Sequence, residues 1–276
     1  MSQRIVTLMS YLLYRLFNSL TGLGYVVFTM AFYLIAFAVR TPDPDYFVLV
    51  VGLFGGLATF LLTLSLAAKA QEAQSYPFLV RLPSRNEYLA AVLFAALLTG
   101  LILELLLAIV VLLRNEPQLS LSMAAQIPPL WVASNILLAV LALHATDFVA
   151  DGWSRVGLFG VLAVMMMVRS NQTAVATWLA DRAQQLSTWS YQRGSVANGE
   201  QFQQLGGWFN TQGEVWLERL FGFAFWPFEA VVNGVIAGHL SRVQALAPAV
   251  MLLLATLLFM LAADLLAHKD LFLAEE

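Results

Sequence analysis

Long apolar runs alternate with short polar interruptions along this chain, and that alternation governs every other reading. A helix crossing about 30 Å of hydrocarbon needs about 20 consecutive apolar residues. Six runs approach that length: roughly Leu20–Val39, Tyr46–Ala68, Tyr88–Leu113, Pro129–Val149, Val156–Val168 and Ala245–Ala267. The interruptions are ones a helix does not tolerate. Arg40-Thr41-Pro42-Asp43-Pro44-Asp45 closes the first run, and Arg114-Asn115-Glu116-Pro117 closes the third. Gly52, Gly55 and Gly56 on the second run are small residues of the kind that let membrane helices approach closely. The fifth run is the shortest and needs Ala174–Leu179, or a membrane-edge position, to complete it.

Two segments follow a different pattern. In residues 1–18, Ile5, Leu8, Leu12, Leu13, Leu16 and Phe17 recur at helical spacing while Arg4, Ser10 and Arg15 fall elsewhere. With Tyr11 and Tyr14 as amphipathic rings, this predicts an interfacial helix lying on the bilayer. The stretch 169–243 carries Trp178, Trp189, Trp208 and Trp216, many glutamines, and Gly194, Gly199, Gly206, Gly207 and Gly213, which read as turn formers. Within it, Leu220–Phe228 is apolar, too short to span and interrupted by Pro227. That predicts a re-entrant or interface-hugging piece. The expected architecture is therefore an all-α integral membrane protein. It has an interfacial helix at 1–18, a single six-span domain over 19–276, a polar connection at 69–87 and a helical excursion at 169–243 between spans five and six.

Composition agrees and narrows the function classes. The 276 residues are 60% hydrophobic and 11% charged, against about 25% charged in soluble domains. A soluble enzyme, a disordered chain and a disulfide scaffold are excluded. The net charge of −3 offers no basic field for nucleic acid. The absence of cysteine removes thiolate metal sites, iron–sulfur ligation and cysteine nucleophiles. Met1–Asn18 lacks the continuous apolar core of a cleavable signal peptide. Arginine and lysine in short loops set orientation. With the N-terminus inside, Arg4, Arg15, Lys69, Arg81, Arg85, Arg155 and Lys269 fall inside, and only Arg40 and Arg114 fall in short outer loops. Both termini are expected to be cytoplasmic.

Among polar side chains, Glu104 is the outlier, set mid-span within Leu101–Leu107. A charged carboxylate at the bilayer centre costs about 2.5–3.5 kcal/mol on insertion scales, so it must face a bundle interior, a cavity or a partner. It could line a translocation path or carry a proton, or it could be a neutral acid bonded to a neighbouring helix. Asn135 is a milder case, more characteristic of interhelical hydrogen bonding than of a ligand. His144 and Asp147, three apart and so on one helical face at the inner end of the fourth span, are too few for a metal site and fit a capping or headgroup role. His239 and His268 fall on opposite sides of the membrane and do not pair as haem ligands, while Asp264 stands within reach of Lys269. Met165-Met166-Met167 reads as flexible packing. No Gly-x-Ser-x-Gly or His-Glu-x-x-His pattern occurs, so no covalent chemistry and no bound metal are expected of this chain.

The order of parts, an interfacial helix, two spans, a polar loop, three spans, a tryptophan-bearing excursion and a final span, resembles the permease subunit of a type-2 ABC exporter over nearly the whole chain. Leu82-Pro83-Ser84-Arg85-Asn86-Glu87-Tyr88 is similar to the proline–x–arginine–x–x–tyrosine word that precedes the third span in that family. His268-Lys269-Asp270-Leu271 resembles the basic–acidic tail many such permeases carry. The resemblance implies a bacterial plasma-membrane subunit that works as a dimer with a second copy or a related permease. ATP and magnesium are then bound by a separate ABC ATPase subunit, in keeping with the lack of a Gly-x-x-x-x-Gly-Lys phosphate loop here. It also implies that the loop between spans two and three is a coupling helix docking on that ATPase. The matching positions are Gln71, Tyr76, Arg81, Pro83, Ser84, Arg85, Glu87 and Tyr88, and headgroup anchoring is the alternative role for the basic ones. Glu104 and Asn135 become candidates for the path. A non-transporting scaffold within a larger complex, or an ion-coupled carrier built around Glu104, has the same outline.

Overall fold

A computed structural model describes residues 2–38, 42–70, 84–115, 117–150 and 152–268, all in helices and short connections. The helices are α1 (Ser2–Phe17), α2 (Leu20–Ala36), α3 (Pro44–Ala70), α4 (Arg85–Asn115), α5 (Leu121–His144), α6 (Gly152–Ser170), α7 (Gln172–Gln192), α8 (Val196–Ile236) and α9 (Ala247–His268), the last preceded by a 3₁₀ turn at Gln244–Leu246. Five of them, α3, α4, α5, α6 and α9, are long and apolar enough to cross a membrane, and α1 with α2 makes a sixth candidate if that bent pair counts as one span. The chain divides into two compact units, one of Met1–Arg155 with Pro227–Glu276 and one of Val156–Trp226.

In the first unit, α1 and α2 meet at 73°. Ser19 makes the corner. Its hydroxyl donates to the Leu16 carbonyl at 2.7 Å and accepts from the Gly22 N–H at 3.4 Å and from Lys69 Nζ at 2.8 Å, which fills one donor and two acceptor positions. Gly22 is required there, because a Cβ would overlap the Leu16 carbonyl oxygen. The stripe Leu8, Leu12, Leu16 of α1 is buried, so the amphipathic pattern of the sequence packs on the bundle, chiefly on α4. The first span differs from its sequence-based bounds. α2 ends at Ala36, where Tyr46 caps its last carbonyl at 3.2 Å, and its 17 residues reach only about 26 Å.

α2 and α3 run antiparallel, tied by Ser19–Lys69 at one end and Tyr25 OH to Ser65 Oγ at 2.8 Å further along. Lipid tails are as apolar as leucine, so burying leucine does not drive these helices together, and close packing must. Gly52 receives the Trp131 indole of α5, Gly55 the Glu104 carboxyl of α4, and Gly56 the Leu138 side chain. On α4, Gly100 receives Thr59. The glycines of the second run thus seat α4 and α5 against α3. α5 starts earlier and ends earlier than its apolar run, spanning Leu121–His144 with Pro128 and Pro129 inside it. α9 closes the bundle, with His144 Nε2 2.9 Å from the Leu258 carbonyl. An apolar groove of about 550 Å³ runs along α1, α4 and α5, lined by Ile5, Met9, Phe94, Leu98 and Ile136 among others.

In the second unit, α6 completes the weak fifth run on its N-terminal side, from Gly152, and α7 starts afresh after Asn171. α7 and α8 form an antiparallel hairpin. Ala176, Ala180, Ala183, Ser187 and Ser190 are the buried face of α7, at alternating spacings of four and three. Gly199, Gly206 and Gly213 answer them every seven residues on α8. A Cβ at Gly206 would stand 3.5 Å from the Ala183 methyl, and one at Gly213 3.2 Å from that of Ala176. Ser187 Oγ donates to the Gly199 carbonyl at 2.8 Å. This corrects the sequence reading, which took these glycines as turns. Only Gly194, at φ +77°, makes the turn between the two helices. Pro227 likewise does not interrupt α8, which runs unbroken for 41 residues. The proline removes one N–H, and the helix tolerates a single unpaired carbonyl.

Candidate functional site

The two positions that the sequence offered independently for a path are brought together. Glu104 of α4 and Asn135 of α5 are buried, and Asn135 Nδ2 donates to Glu104 Oε2 at 2.5 Å. α4 can bring a carboxyl to this depth because Gly55 on α3 leaves a notch for it. One helical turn away, Thr59 fits against Gly100. The neighbouring buried hydroxyls are satisfied locally, Thr63 donating to the Thr59 carbonyl at 2.8 Å and Thr99 to Ala95 at 2.9 Å. Thr59 Oγ1, Glu104 Oε1 and Asn135 Oδ1 are left without a hydrogen-bond partner among the described residues. A proton on the carboxyl supplies the donor that an acid–amide pair needs to exchange two hydrogen bonds. The arrangement can therefore hold one proton, or lock three helices in register.

A second cluster lies where α3 ends and α4 begins. Lys69 holds the α1–α2 corner through Ser19. Sixteen residues on, Arg85 Nη1 donates to the Leu266 carbonyl near the end of α9 at 3.3 Å. Ser84 to Glu87 has the Ser-x-x-Glu spacing of a helix start, and Ser84 Oγ accepts from the Asn86 N–H at 3.3 Å. Glu87 and Tyr88 are buried, Tyr88 with its ring 5.9 Å from that of Phe148. Of the coupling positions read from the sequence, Gln71, Tyr76, Arg81 and Pro83 lie outside the described residues.

The remaining sequence candidates separate. α5 ends at His144, so Asp147, in the turn that follows, does not share a helix face with it. His144 bonds to α9, and Asp147 pairs with Arg155 of the next helix's first turn. Asp264 stands 3.4 Å from the His268 ring, and Lys269 lies outside the described residues. Among the described residues no three of His, Cys, Asp and Glu gather as metal ligands. What the sequence reading missed is the tie from Lys69 to Ser19 and from Arg85 to Leu266, since both rest on tertiary proximity with no local pattern. The chain matches no family model, no curated protein and no solved structure.

Proposed function

We propose that this chain is the permease subunit of an ATP-driven exporter, set in a bacterial plasma membrane with both termini cytoplasmic. Two copies, or one copy and a related permease, form the translocation path, and a separate ATPase carries ATP and magnesium. The observation that supports this reading is the anchoring of both ends of the 70–84 connection. Lys69 is tied to the corner that starts α2, and Arg85 to the last turns of α9. A partner that displaces this connection moves α2, α3, α4 and α9 together, which is what coupling a motor to a path requires. With Glu87 and Tyr88 buried, the docking surface falls to the connection itself, including Arg81, and to Ser84 and Asn86.

Gentle purification of the full chain from native membranes, with its companions identified and ATP hydrolysis assayed, tests this. The expected result is a stoichiometric ATPase that is lost on Arg81→Glu while the chain stays folded. Companions that are all membrane proteins, with no ATPase, overturn it and leave a structural subunit. The buried unpartnered oxygens of Glu104, Asn135 and Thr59 favour one second reading, a proton-coupled carrier. That reading requires transport to vanish on Glu104→Gln and to survive ATP depletion.

A further inference from the structure

The α7–α8 hairpin is sorted by charge. At about 100° per residue, positions on each helix fall to one or other side of the seam that Ala176–Ser190 and Gly199–Gly213 form. The inter-helix hydrogen bonds from Thr173 to Glu214, at 3.0 Å, and from Tyr191 to Gln203, at 3.3 Å, mark one flank. Asp181, Glu200, Glu214 and Glu218 project toward that flank, and Arg182, Arg193 and Arg219 toward the other. These seven, Arg193 standing just past the end of α7, are all the charged residues from Gln172 to Trp226.

The basic flank also carries three exposed tryptophans. Trp178, Trp189 and Trp216 are 55%, 49% and 46% exposed. Arg182 lies over the Trp178 ring at 5.6 Å, and Arg193 over the Trp189 ring at 4.1 Å. The same Trp-x-x-x-Arg unit thus recurs after three helical turns on one face of α7. Leu186, Leu205 and Phe223 stand exposed on the same flank.

We propose that this flank rests on the headgroup region of an anionic phospholipid leaflet. Indole rings partition to that depth, exposed leucine and phenylalanine reach the acyl boundary, and arginine meets phosphate. The acidic flank then faces water, as repulsion by the same surface demands. A neutral ligand would not require sorting by sign. An acidic macromolecule would meet the arginines and leave Leu186, Leu205 and Phe223 without an apolar environment, whereas a leaflet provides for both.

The chain has no cysteine, so the full protein can carry one nitroxide label at a time, on Leu205→Cys of the basic flank or Thr211→Cys of the acidic one. In proteoliposomes containing phosphatidylglycerol, the label at 205 is expected to be relaxed by oxygen and shielded from a water-soluble nickel chelate, and the label at 211 to behave oppositely. In pure phosphatidylcholine the shielding at 205 should fall. Charge reversal at Arg182, Arg193 and Arg219 should reduce it to the level seen at 211. The lipid comparison needs no charge variant, so misfolding of the reversal cannot mask the result. Equal nickel access at both positions overturns the proposal, as does equal burial of both. Shielding at 205 that ignores lipid charge also overturns it, and points to a second copy or another protein on that flank.

Discussion

The Glu104–Asn135 pair shows how a single side chain constrains a membrane core. In hydrocarbon an amide or a carboxyl has no water to fall back on, so removing one partner strands the other. Glu104→Gln keeps both an acceptor for Asn135 Nδ2 and a donor for its Oδ1, and should leave detergent-phase thermal stability within about 0.5 kcal/mol of the parent. Glu104→Leu should cost about 1–3 kcal/mol by leaving buried Asn135 unpaired, and Glu104→Leu with Asn135→Leu should recover part of that loss. A double-mutant cycle by thermal unfolding reads the coupling directly. Equal losses in the Gln and Leu variants would show that the carboxyl's charge, and not its hydrogen bonding, holds the site. Both residues were visible in the sequence as polar atoms in apolar runs. Their contact was not, because it depends on Gly55 clearing a notch on a third helix.

Among the elements, the apolar runs mapped onto helices wherever leucine and valine carry the pattern, as in α3, α4 and α9. They failed where small residues carry it. The α7–α8 seam is a heptad of alanine, serine and glycine, invisible to a hydrophobicity count, and its glycines resemble turn signals until both helices are in place. The seam makes a sharp prediction. Gly206 presents its missing Cβ 3.5 Å from the Ala183 methyl, at the short edge of the Cβ separation that disulfides adopt, about 3.5–4.5 Å. Ala183→Cys with Gly206→Cys, in a chain otherwise free of cysteine, should oxidise to an intramolecular bridge visible as a mobility shift reversed by reductant. Ala183→Cys with Gly207→Cys should not. Bridging of both pairs alike would show that the seam does not exist in solution. At the other end of the chain, the amphipathic pattern of α1 was legible, but its 73° corner was not, since that rests on Ser19, Gly22 and a lysine fifty residues away.

For the whole molecule, the composition alone placed the chain in a membrane, and the helices agree. If α1 and α2 count as one bent span, the described residues hold six candidate spans, an even number, which would leave the two ends on one side. With the N-terminus inside, single cysteines at Ser2 and Ala274 should react with a membrane-impermeant maleimide only after cells are opened, whereas one at Thr211, on the water-facing flank of the hairpin, should react in intact cells. Labelling of Ala274 but not Ser2 from outside would mean an odd number of crossings. The coupling and dimerisation proposed above were not legible in the described residues of one chain, because such surfaces are completed only by other chains.

The hairpin seam has a consequence for how this sequence can change over generations. At Gly206 the facing atoms are the Ala180 carbonyl oxygen, the Ala183 methyl and the Gln184 backbone nitrogen, so no side chain there can rearrange to absorb an intruder. Substitution at Gly206 must therefore be answered by another on the facing helix, or be lost. The outward positions carry no such debt. As homologous sequences accumulate, a seven-residue rhythm of glycine and alanine should stand still between Ala176 and Gly213 while the residues around it drift, and a relative that lengthens the hairpin should do so in whole heptads.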